Sequence, residues 1–371
     1  MQRFKVILVT VILTVLVLVI PYLISNGAQL ISSPISITPV GDSIGFNVRS
    51  ESLSNLTNLI NVTDIFIFNL EGVLLNSNND TLECNGYPNQ STLTGDASFA
   101  KRMRLAPITI ANMANNHVLD CGAEGIQSTE GILFKHRILS LGAGQNLQEA
   151  CKPLLVNIRN WHIAFVSYDF VLSDLVAATS SRAGTATLEG CGHDYGKIRS
   201  QGNNLIVASV HYGFWSQDIS EGQVVLVNRL LDSGVDLVIG HSPHIPQALM
   251  ARNGKLAFFS LGNFVFRPNY TMPRLAYTSF VPKISFSKDR TEATIYPITI
   301  DNLGIPHIDH GNETISRIAK ASQQFNTHLE IVNNIAYLLV ARTMSVTTAS
   351  ADVTRLPEIL ALTVWLECFE N

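Results

Sequence analysis

Seven short apolar runs recur along this chain of 371 residues, and they constrain its fold more than any other feature. As a group they are rich in β-branched residues and bounded by turn residues, which is typical of buried strands. Because segments with helical spacing lie between several of them, the order of elements predicts an α/β fold with a largely buried sheet. The predicted strands are 35–40, 65–68, 108–111, 163–167, 205–210, 237–239 and 256–260.

Two helices and one hairpin complete the regular pattern. Residues 122–136 and 221–234 have the spacing of amphipathic helices, and Gly234 is placed to cap the second one. Residues 280–286 and 293–300 alternate apolar and polar side chains, as an antiparallel hairpin does.

The N-terminus has the pattern of a membrane signal. Arg3 and Lys5 precede an apolar run over 6–24, which approaches the roughly 20 residues that a helix needs to cross a bilayer. A cleavable signal is the alternative, because small residues follow at 25–28. Since the next basic residue is Arg49, the positive-inside rule predicts a single-pass protein with an extracytoplasmic domain, or a secreted one if the signal is cleaved.

Composition argues against two classes of protein. The net charge is −4, so the chain as a whole has no basic field to hold a polyanion, and we expect no nucleic-acid partner. No lipobox cysteine follows the apolar N-terminal run, which argues against a solute-binding lipoprotein.

The cysteines number five, and outside the cell an odd number leaves at least one unpaired or paired between chains. Cys84 and Cys191 lie in polar stretches and are candidates for a disulfide. Cys121 and Cys151 lie beside predicted elements and are equally compatible with buried thiols. Sequence alone leaves the pairing open.

Polar side chains follow the predicted strands at the points where the strands end. In an α/β sheet, sites form outside the carboxyl ends of the strands, which parallel strands bring to one edge. Imidazole and carboxylate groups together suit first-row metals such as Zn, Mn or Fe. In chain order the residues are Asp42, Glu71, Asn115, Asn116, His117, Asp120, His211, His241, His244 and Asn263.

Each of these residues also has a structural explanation. Asp42 can belong to a turn, Asn116 or Asp120 can cap a helix, and His211 can be a hydrogen-bonded core histidine. The two imidazoles of the Gly-His-Ser-Pro-His stretch are harder to explain by packing alone. One site explains all the strand ends together, whereas the structural explanation needs a separate reason for each, so the sequence favours a polar functional site.

Several short motifs stand at these strand ends and just beyond them. They are Gly41-Asp42, Asn69-Leu70-Glu71, Ala114-Asn115-Asn116-His117 with Asp120 and Gly122, Gly142-Ala143-Gly144 with Glu149-Ala150, His211-Tyr212-Gly213, Gly240-His241-Ser242-Pro243-His244 and Ser260-Leu261-Gly262-Asn263-Phe264. In their order and spacing, residues 36–267 resemble the CapA-type capsule, or poly-γ-glutamate, synthesis family.

That family is related to calcineurin-like metallophosphoesterases. The resemblance therefore implies a four-layer α/β/β/α metallophosphatase-like sandwich with an N-terminal transmembrane helix. The implied organisation is a signal anchor at 1–29, a CapA-like domain at 30–310 and a C-terminal helical extension at 311–371. Within the extension, the spacing over 314–344 predicts one or two amphipathic helices.

Two departures from the family pattern bear on the site. Family members usually continue the first Gly-Asp with a hydrophobic stretch and an arginine, but here the arginine is displaced to Arg49. In phosphoesterases the two late histidines flank one residue, whereas His241 and His244 flank two. His244 therefore fits a ligand role better than His241.

One hypothesis is a metal-dependent hydrolase or transferase. One or two divalent ions, Mn, Zn or Fe, would polarise a phosphoryl or acyl oxygen and activate a water. His117, with Asp120, would provide acid–base catalysis, and the substrate would be a phosphate ester or an amide of a γ-linked polymer. The predicted ligands are Asp42, Glu71, Asn116, His211, His241 and His244.

The resemblance also implies a biological process, which is the synthesis, export or processing of an anionic surface polymer outside the membrane. The expected partners are that polymer or its precursor, membrane synthase or export proteins, and the membrane through the N-terminal helix. Two alternatives are a metal-dependent phosphoesterase unrelated to polymer synthesis and a non-catalytic accessory subunit that binds the polymer.

Overall fold

The computed structural model describes residues 33–44, 53–60, 62–76, 82–86, 91–268 and 271–342. The predicted membrane anchor, Arg49, Cys368 and residues 343–371 lie outside the described residues. Within the described ranges, no helix has both the length and the apolar character needed to span a membrane.

All seven predicted strands are confirmed, with their ends shifted slightly. They form because their β-branched and aromatic side chains are buried on both faces of the sheets. The described strands are β1 (Ile35–Ser43), β2 (Ile65–Leu70), β3 (Val73–Leu75), β4 (Thr94–Asp96), β5 (Ile108–Asn112), β6 (Leu139–Leu141), β7 (Ala143–Gly144), β8 (Leu154–Ile158), β9 (Trp161–Asp169), β10 (Gly184–Thr185), β11 (Leu205–His211), β12 (Leu237–His241), β13 (Leu249–Arg252), β14 (Lys255–Phe258), β15 (Thr278–Phe286), β16 (Arg290–Ile300), β17 (Pro306–Ile308), β18 (Glu330–Val332) and β19 (Ile335–Ala341).

Both predicted helices are confirmed as well. The second one begins with a capping box between Ser220 and Gln223 and ends at Gly234, whose φ of 118° is the left-handed conformation that glycine adopts without strain. The described α-helices are α1 (Ser54–Ile60), α2 (Ala97–Met103), α3 (Gly122–Lys135), α4 (Leu147–Ala150), α5 (Ser173–Val176), α6 (Leu188–Cys191), α7 (Tyr195–Ser200), α8 (Glu221–Ser233) and α9 (Glu313–Ser322).

Two mixed sheets form the framework of the fold. The nine-stranded sheet has the order β18-β19-β16-β15-β1-β2-β5-β6, with β17 paired to β16, and the six-stranded sheet has the order β13-β14-β12-β11-β9-β8. Strands β1, β2, β5 and β6 are parallel to one another, as are β9, β11, β12 and β14. The α/β fold class is therefore confirmed.

The two sheets pack face to face and bury the central core between them. Phe280 of β15 and Phe258 of β14 meet there with ring centroids 5.9 Å apart, and truncating either ring would cost about 3–5 kcal/mol. Helices α2 and α3 cover the outer face of the nine-stranded sheet. Helices α7 and α8 cover the outer face of the six-stranded sheet.

The C-terminal part of the described chain corrects one prediction. The helical spacing over 314–344 holds only as far as α9, and β18 and β19 then form a hairpin that extends the nine-stranded sheet. Asn333 and Asn334 make the turn with φ of 49° and 62°, a conformation that asparagine tolerates. Ala336 and Leu338 of β19 are buried in the central core, so packing against β16 outweighs the local helical pattern.

The disulfides differ from the pairing that the sequence suggested. Cys84 bonds to Cys121, and Cys151 bonds to Cys191. Cys84 and Cys191 lie in polar stretches, but each pairs with the cysteine at a helix end rather than with the other. Cys121 and Cys151 are therefore not free thiols.

Candidate metal centre

Strand register places the polar residues of each sheet side by side. In the nine-stranded sheet, Asp42 lies opposite Asn69, which lies opposite Asn112 on the next strand. In the six-stranded sheet, His211 lies opposite His241. Since parallel strands share the edge at which they end, each sheet presents these side chains at one edge.

The segment after β14 joins the two edges. The Asp42 N–H donates to the Gly262 carbonyl at 2.9 Å, and the Phe264 N–H donates to the Asp42 carbonyl at 2.8 Å. Gly41 permits this approach, because a Cβ there would lie 1.9 Å from the Gly262 carbonyl oxygen. The Ser242 N–H also donates to Asp42 Oδ2 at 3.2 Å. Both sheets therefore meet at Asp42.

Three buried side chains form the centre of the site. His244 Nδ1 lies 3.3 Å from Asp42 Oδ2, and His244 Nε2 lies 3.5 Å from Glu71 Oε1. Asp42, Glu71 and His244 each offer one ligand atom, and these atoms all lie within 4.8 Å of one another. This spacing is compatible with one divalent cation.

The other predicted ligands surround this group. His241 Nδ1 lies 3.4 Å from Asp42 Oδ1. His211 Nε2 lies 2.9 Å from Asn116 Oδ1 and 3.9 Å from Glu71 Oε1. The structure thus brings all six predicted ligands into one cluster, while the role of each remains a prediction.

A hydrogen bond orients the imidazole of His244. The Asn263 side-chain amide donates to the Ala276 carbonyl at 3.0 Å, which turns Asn263 Oδ1 toward His244 Nδ1 at 2.8 Å. Nδ1 therefore carries the proton, and the lone pair of Nε2 faces Glu71. An imidazole held this way by a neighbouring oxygen is the usual arrangement of a histidine that binds a metal.

His117 and Asp120 form a second, adjacent pair. His117 Nδ1 lies 2.9 Å from Asp120 Oδ2, which also accepts the Leu93 N–H at 2.6 Å. The Asp120 carboxyl accepts a hydrogen bond from the Nδ1–H group, which leaves Nε2 of His117 as the basic nitrogen. This is the arrangement that a histidine acid–base catalyst requires.

The two central carboxyl groups are perturbed in opposite directions. Burial, followed by the negative charge of Asp42, raises the pKa of Glu71 well above its usual value. Burial also acts to raise the pKa of Asp42, but the hydrogen bond with His241 and the favourable electrostatic interaction with His244 outweigh it and lower that pKa. Without a cation, the site therefore favours an ionised Asp42 beside a protonated Glu71.

Burial favours the neutral form of two site histidines, His211 and His244. It lowers the pKa of His211 to about 3, and it lowers the pKa of His244 in the same direction. Only a neutral imidazole has a lone pair for a metal ion, so both rings are in the state that binding needs.

The polar atoms of the site fit a metal. Within the described part of the chain, neither ring nitrogen of His241 forms a hydrogen bond, and Glu71 Oε2 has no hydrogen-bond partner. Buried polar groups without partners are costly, and a cation would satisfy them. A donor set of imidazole nitrogen and carboxylate oxygen suits Zn, Mn or Fe.

A cavity of about 710 Å³ gives access to the cluster. Glu71, Asn116, His117 and His244 line its floor, and aromatic residues line its rim. The His244 ring lies 4.7 Å from the Phe266 ring and 6.1 Å from the Trp215 ring, measured between centroids. The site is therefore a polar centre beneath an apolar rim.

Sequence reasoning missed two residues that contribute to the site, Asn112 and Asp169. Asn112 and the previously noted Asn69 form a hydrogen-bonded row that ends at Asp42. Asp169 ends β9 opposite His211, is fully buried, and has a pKa raised well above its usual value by burial. The same strand-end rule that selected Asp42 would have found both.

Comparisons with known proteins identify relatives of this chain. The chain is 27% identical over 188 residues to the capsule biosynthesis protein CapA of Bacillus anthracis, covering 48% of this chain and 45% of that protein. It is 30% identical over 171 residues to the PGA biosynthesis protein CapA of Bacillus subtilis (strain 168), covering 45% of this chain and 44% of that protein. The chain thus matches less than half the length of each relative.

A solved structure of a putative 5'-nucleotidase from Staphylococcus aureus is also similar, at 11% identity and a TM-score of 0.42, covering 89% of this chain and 58% of that one. That identity and that TM-score are too low to support an argument. The sequence profile of the family described as "Bacterial capsule synthesis protein PGA_cap" matches residues 45–268, more than half of the chain. This chain belongs to that bacterial capsule synthesis family.

Proposed function

We propose that this protein is a metal-dependent hydrolase that processes an anionic surface polymer of the poly-γ-glutamate type outside the membrane. The observation that carries the proposal is the buried group of Asp42, Glu71 and His244 at the floor of the 710 Å³ cavity. The process is supported by membership of the capsule synthesis family and by the names of the two relatives. The metallophosphatase-like character of the fold, the membrane anchor and the extracytoplasmic location are part of this proposal.

The residues of the buried group would bind the metal ion. Asp42, Glu71 and His244 would hold the ion, with His211, His241 and Asn116 within reach. A bound divalent ion would supply Lewis-acid polarisation of an acyl or phosphoryl oxygen.

His117 lines the cavity and would move the proton. Its Nε2 would accept a proton from the attacking water and return it to the leaving group, while Asp120 holds Nδ1. The Leu93 N–H fixes the Asp120 carboxylate. The apolar rim of Trp215 and Phe266 would restrict access of bulk water to the reacting groups.

The proposal is tested by metal content and turnover of the full-length protein. We expect bound metal in the wild type by elemental analysis and its loss in the Glu71→Gln/His244→Ala variant. His162→Ala is the matched control, because His162 is exposed and lies at the other end of β9. Turnover is measured as amine release from poly-γ-glutamate and as hydrolysis of a phosphate ester.

The outcomes separate the competing functions. Amine release that needs the metal supports the proposal, whereas hydrolysis of the phosphate ester alone favours a phosphoesterase unrelated to the polymer. A wild-type protein that contains no metal and still binds the polymer would favour the non-catalytic accessory role and would contradict the proposed hydrolase.

A further inference from the structure

A second recess lies at the opposite edge of the six-stranded sheet, where β11 and β12 begin. It has a volume of about 780 Å³, and its walls include the turn between β13 and β14 and residues at the ends of α7 and α8. We call it the basic recess, after the five cationic residues that line it. These are Arg199, Arg252, Lys255, Lys288 and Arg342.

Acidic residues in the recess balance only part of this charge. Asp236 accepts a hydrogen bond from Arg199 at 2.6 Å and lies 3.5 Å from Arg342. Asp232 forms an ion pair with Arg252 at 2.5 Å. With five cations and two carboxylates in its lining, the basic recess has an excess of three positive charges. The chain as a whole has a net charge of −4, so the excess is a local feature.

Local structure accounts for two of the cations. Lys255 Nζ donates to the Leu231 carbonyl in the last turn of α8, where a cation also interacts favourably with the negative end of the helix dipole. The Arg342 guanidinium lies 5.6 Å from the centroid of the Phe286 ring. Neither contact explains Lys288, which is exposed and has no ion-pair partner among the described residues.

The cations also crowd one another. Burial lowers the pKa of Lys255; Asp236 and Asp232 act to raise it, whereas the like charges of Arg199 and Arg252 act in the same direction as burial. Burial also lowers the pKa of Arg342, where Asp236 acts to raise it and Arg199 acts to lower it. An anion that entered the basic recess would relieve this repulsion.

The catalytic cavity lacks a comparable group of cations. Among the described residues that line it, Arg267 is the only lysine or arginine. The seven residues of β11 link the two places, from Leu205 near the basic recess to His211 in the metal centre, a distance of about 20 Å. A polyanion would therefore be held more strongly at the basic recess than at the catalytic cavity.

We propose that the basic recess is a second binding site, which holds a carboxylate-bearing polymer strand while another part of that strand is processed at the metal centre. The identity of the polymer rests on the proposed function, whereas the anion-binding character rests on the recess itself. A γ-linked glutamate chain carries one carboxylate per residue, so a few consecutive residues would neutralise the charge excess. A concave recess also suits a flexible strand better than the surface of an anionic membrane.

The test is binding of a fluorescently labelled poly-γ-glutamate oligomer to the full-length protein in neutral detergent. We expect Lys288→Glu to weaken binding by about three- to tenfold at low ionic strength, and added salt to weaken binding to the wild type. Lys135→Glu is the matched control, because Lys135 is an exposed lysine on α3, which covers the other sheet. This control should bind like the wild type.

Two further measurements separate this inference from the proposed function. The Glu71→Gln/His244→Ala variant should still lose three- to tenfold in oligomer binding when Lys288→Glu is added, because the basic recess is intact. Equal binding by the Lys288→Glu and Lys135→Glu variants would overturn the inference even if metal and turnover are found. So would Lys288-dependent binding of anionic vesicles without oligomer binding, or competition by inorganic phosphate as strong as competition by unlabelled oligomer.

Discussion

Asn69 donates its side-chain amide to Asp42 Oδ1 at 2.8 Å, and this bond orients the carboxylate at the centre of the site. Asn69 Oδ1 in turn accepts the side-chain amide of Asn112 at 2.8 Å. The Ser167 hydroxyl donates to Asn112 Oδ1 from the other sheet. The row therefore ties the position of Asp42 to both sheets, and it leaves Asp42 Oδ2 directed toward His244.

Replacing Asn69 by alanine should weaken metal binding by about 10- to 100-fold, the range for losing a partner of a metal ligand. The Asn112 amide would also lose its acceptor inside the protein, so we expect the free energy of unfolding to fall by about 1–3 kcal/mol. The measurements are metal titration and denaturant unfolding. Asn157→Ala is the control, because Asn157 is an exposed asparagine that contacts His162. An Asn69→Ala protein with wild-type metal affinity would contradict the positioning role.

Glu71→Gln should have opposite effects on metal-free stability and on metal binding. Burial raises the pKa of Glu71 in the metal-free folded protein, so at neutral pH, where the unfolded carboxyl is ionised, Glu71 must take up a proton on folding, which opposes folding. Glutamine needs no proton, so the substitution should raise the free energy of unfolding by about 1–3 kcal/mol near pH 7. Near pH 4 the carboxyl is protonated in the folded state and largely so in the unfolded state, and the gain should disappear.

The measurement for Glu71→Gln is denaturant unfolding in the presence of a chelator at both pH values, followed by metal titration. The exposed Glu189→Gln serves as the control. A loss of metal-free stability at pH 7 would mean that the Glu71 carboxylate is already stabilised by its neighbours, contrary to the expected sign.

Asp120→Asn should lower kcat by about 10²- to 10⁴-fold and leave metal content unchanged. The asparagine oxygen would still accept the Leu93 N–H. The same oxygen would also accept from His117 Nδ1 but would carry no negative charge, so the imidazolium that forms when Nε2 takes up a proton would be less stabilised. The exposed Asp174→Asn is the control, and an unchanged kcat in Asp120→Asn would rule out His117 as the base.

The two disulfides provide a matched pair for testing the loop that carries His117 and Asp120, the residues of the proposed acid–base pair. Cys84–Cys121 and Cys151–Cys191 span 37 and 40 residues, so removing either should cost a similar free energy of unfolding, about 4 kcal/mol. Only the first ties the segment at Gly86, which donates to the Asp120 carbonyl, to the start of α3. Cys84→Ala/Cys121→Ala should therefore reduce turnover more than Cys151→Ala/Cys191→Ala at a temperature at which both variants are folded. Equal losses would show that the disulfides contribute only to stability.

Local sequence patterns were enough to predict the strands and the residues at their ends. Strands such as β2 and β11 are mostly apolar runs, and apolar packing does not explain the polar side chain at the end of each one. The parallel arrangement of such strands then predicts a shared edge, which is where Asp42, Glu71 and His211 lie.

Only the tertiary structure decided contacts that depend on distant segments. The hairpin of β18 and β19 forms because β16 offers a partner, despite a helical pattern. The disulfide partners, the amide row at Asp42 and the orientation of His244 each join residues far apart in the chain. The net charge of −4 also gave no sign of the basic recess, because a sum over the whole chain does not record where folding gathers its cations.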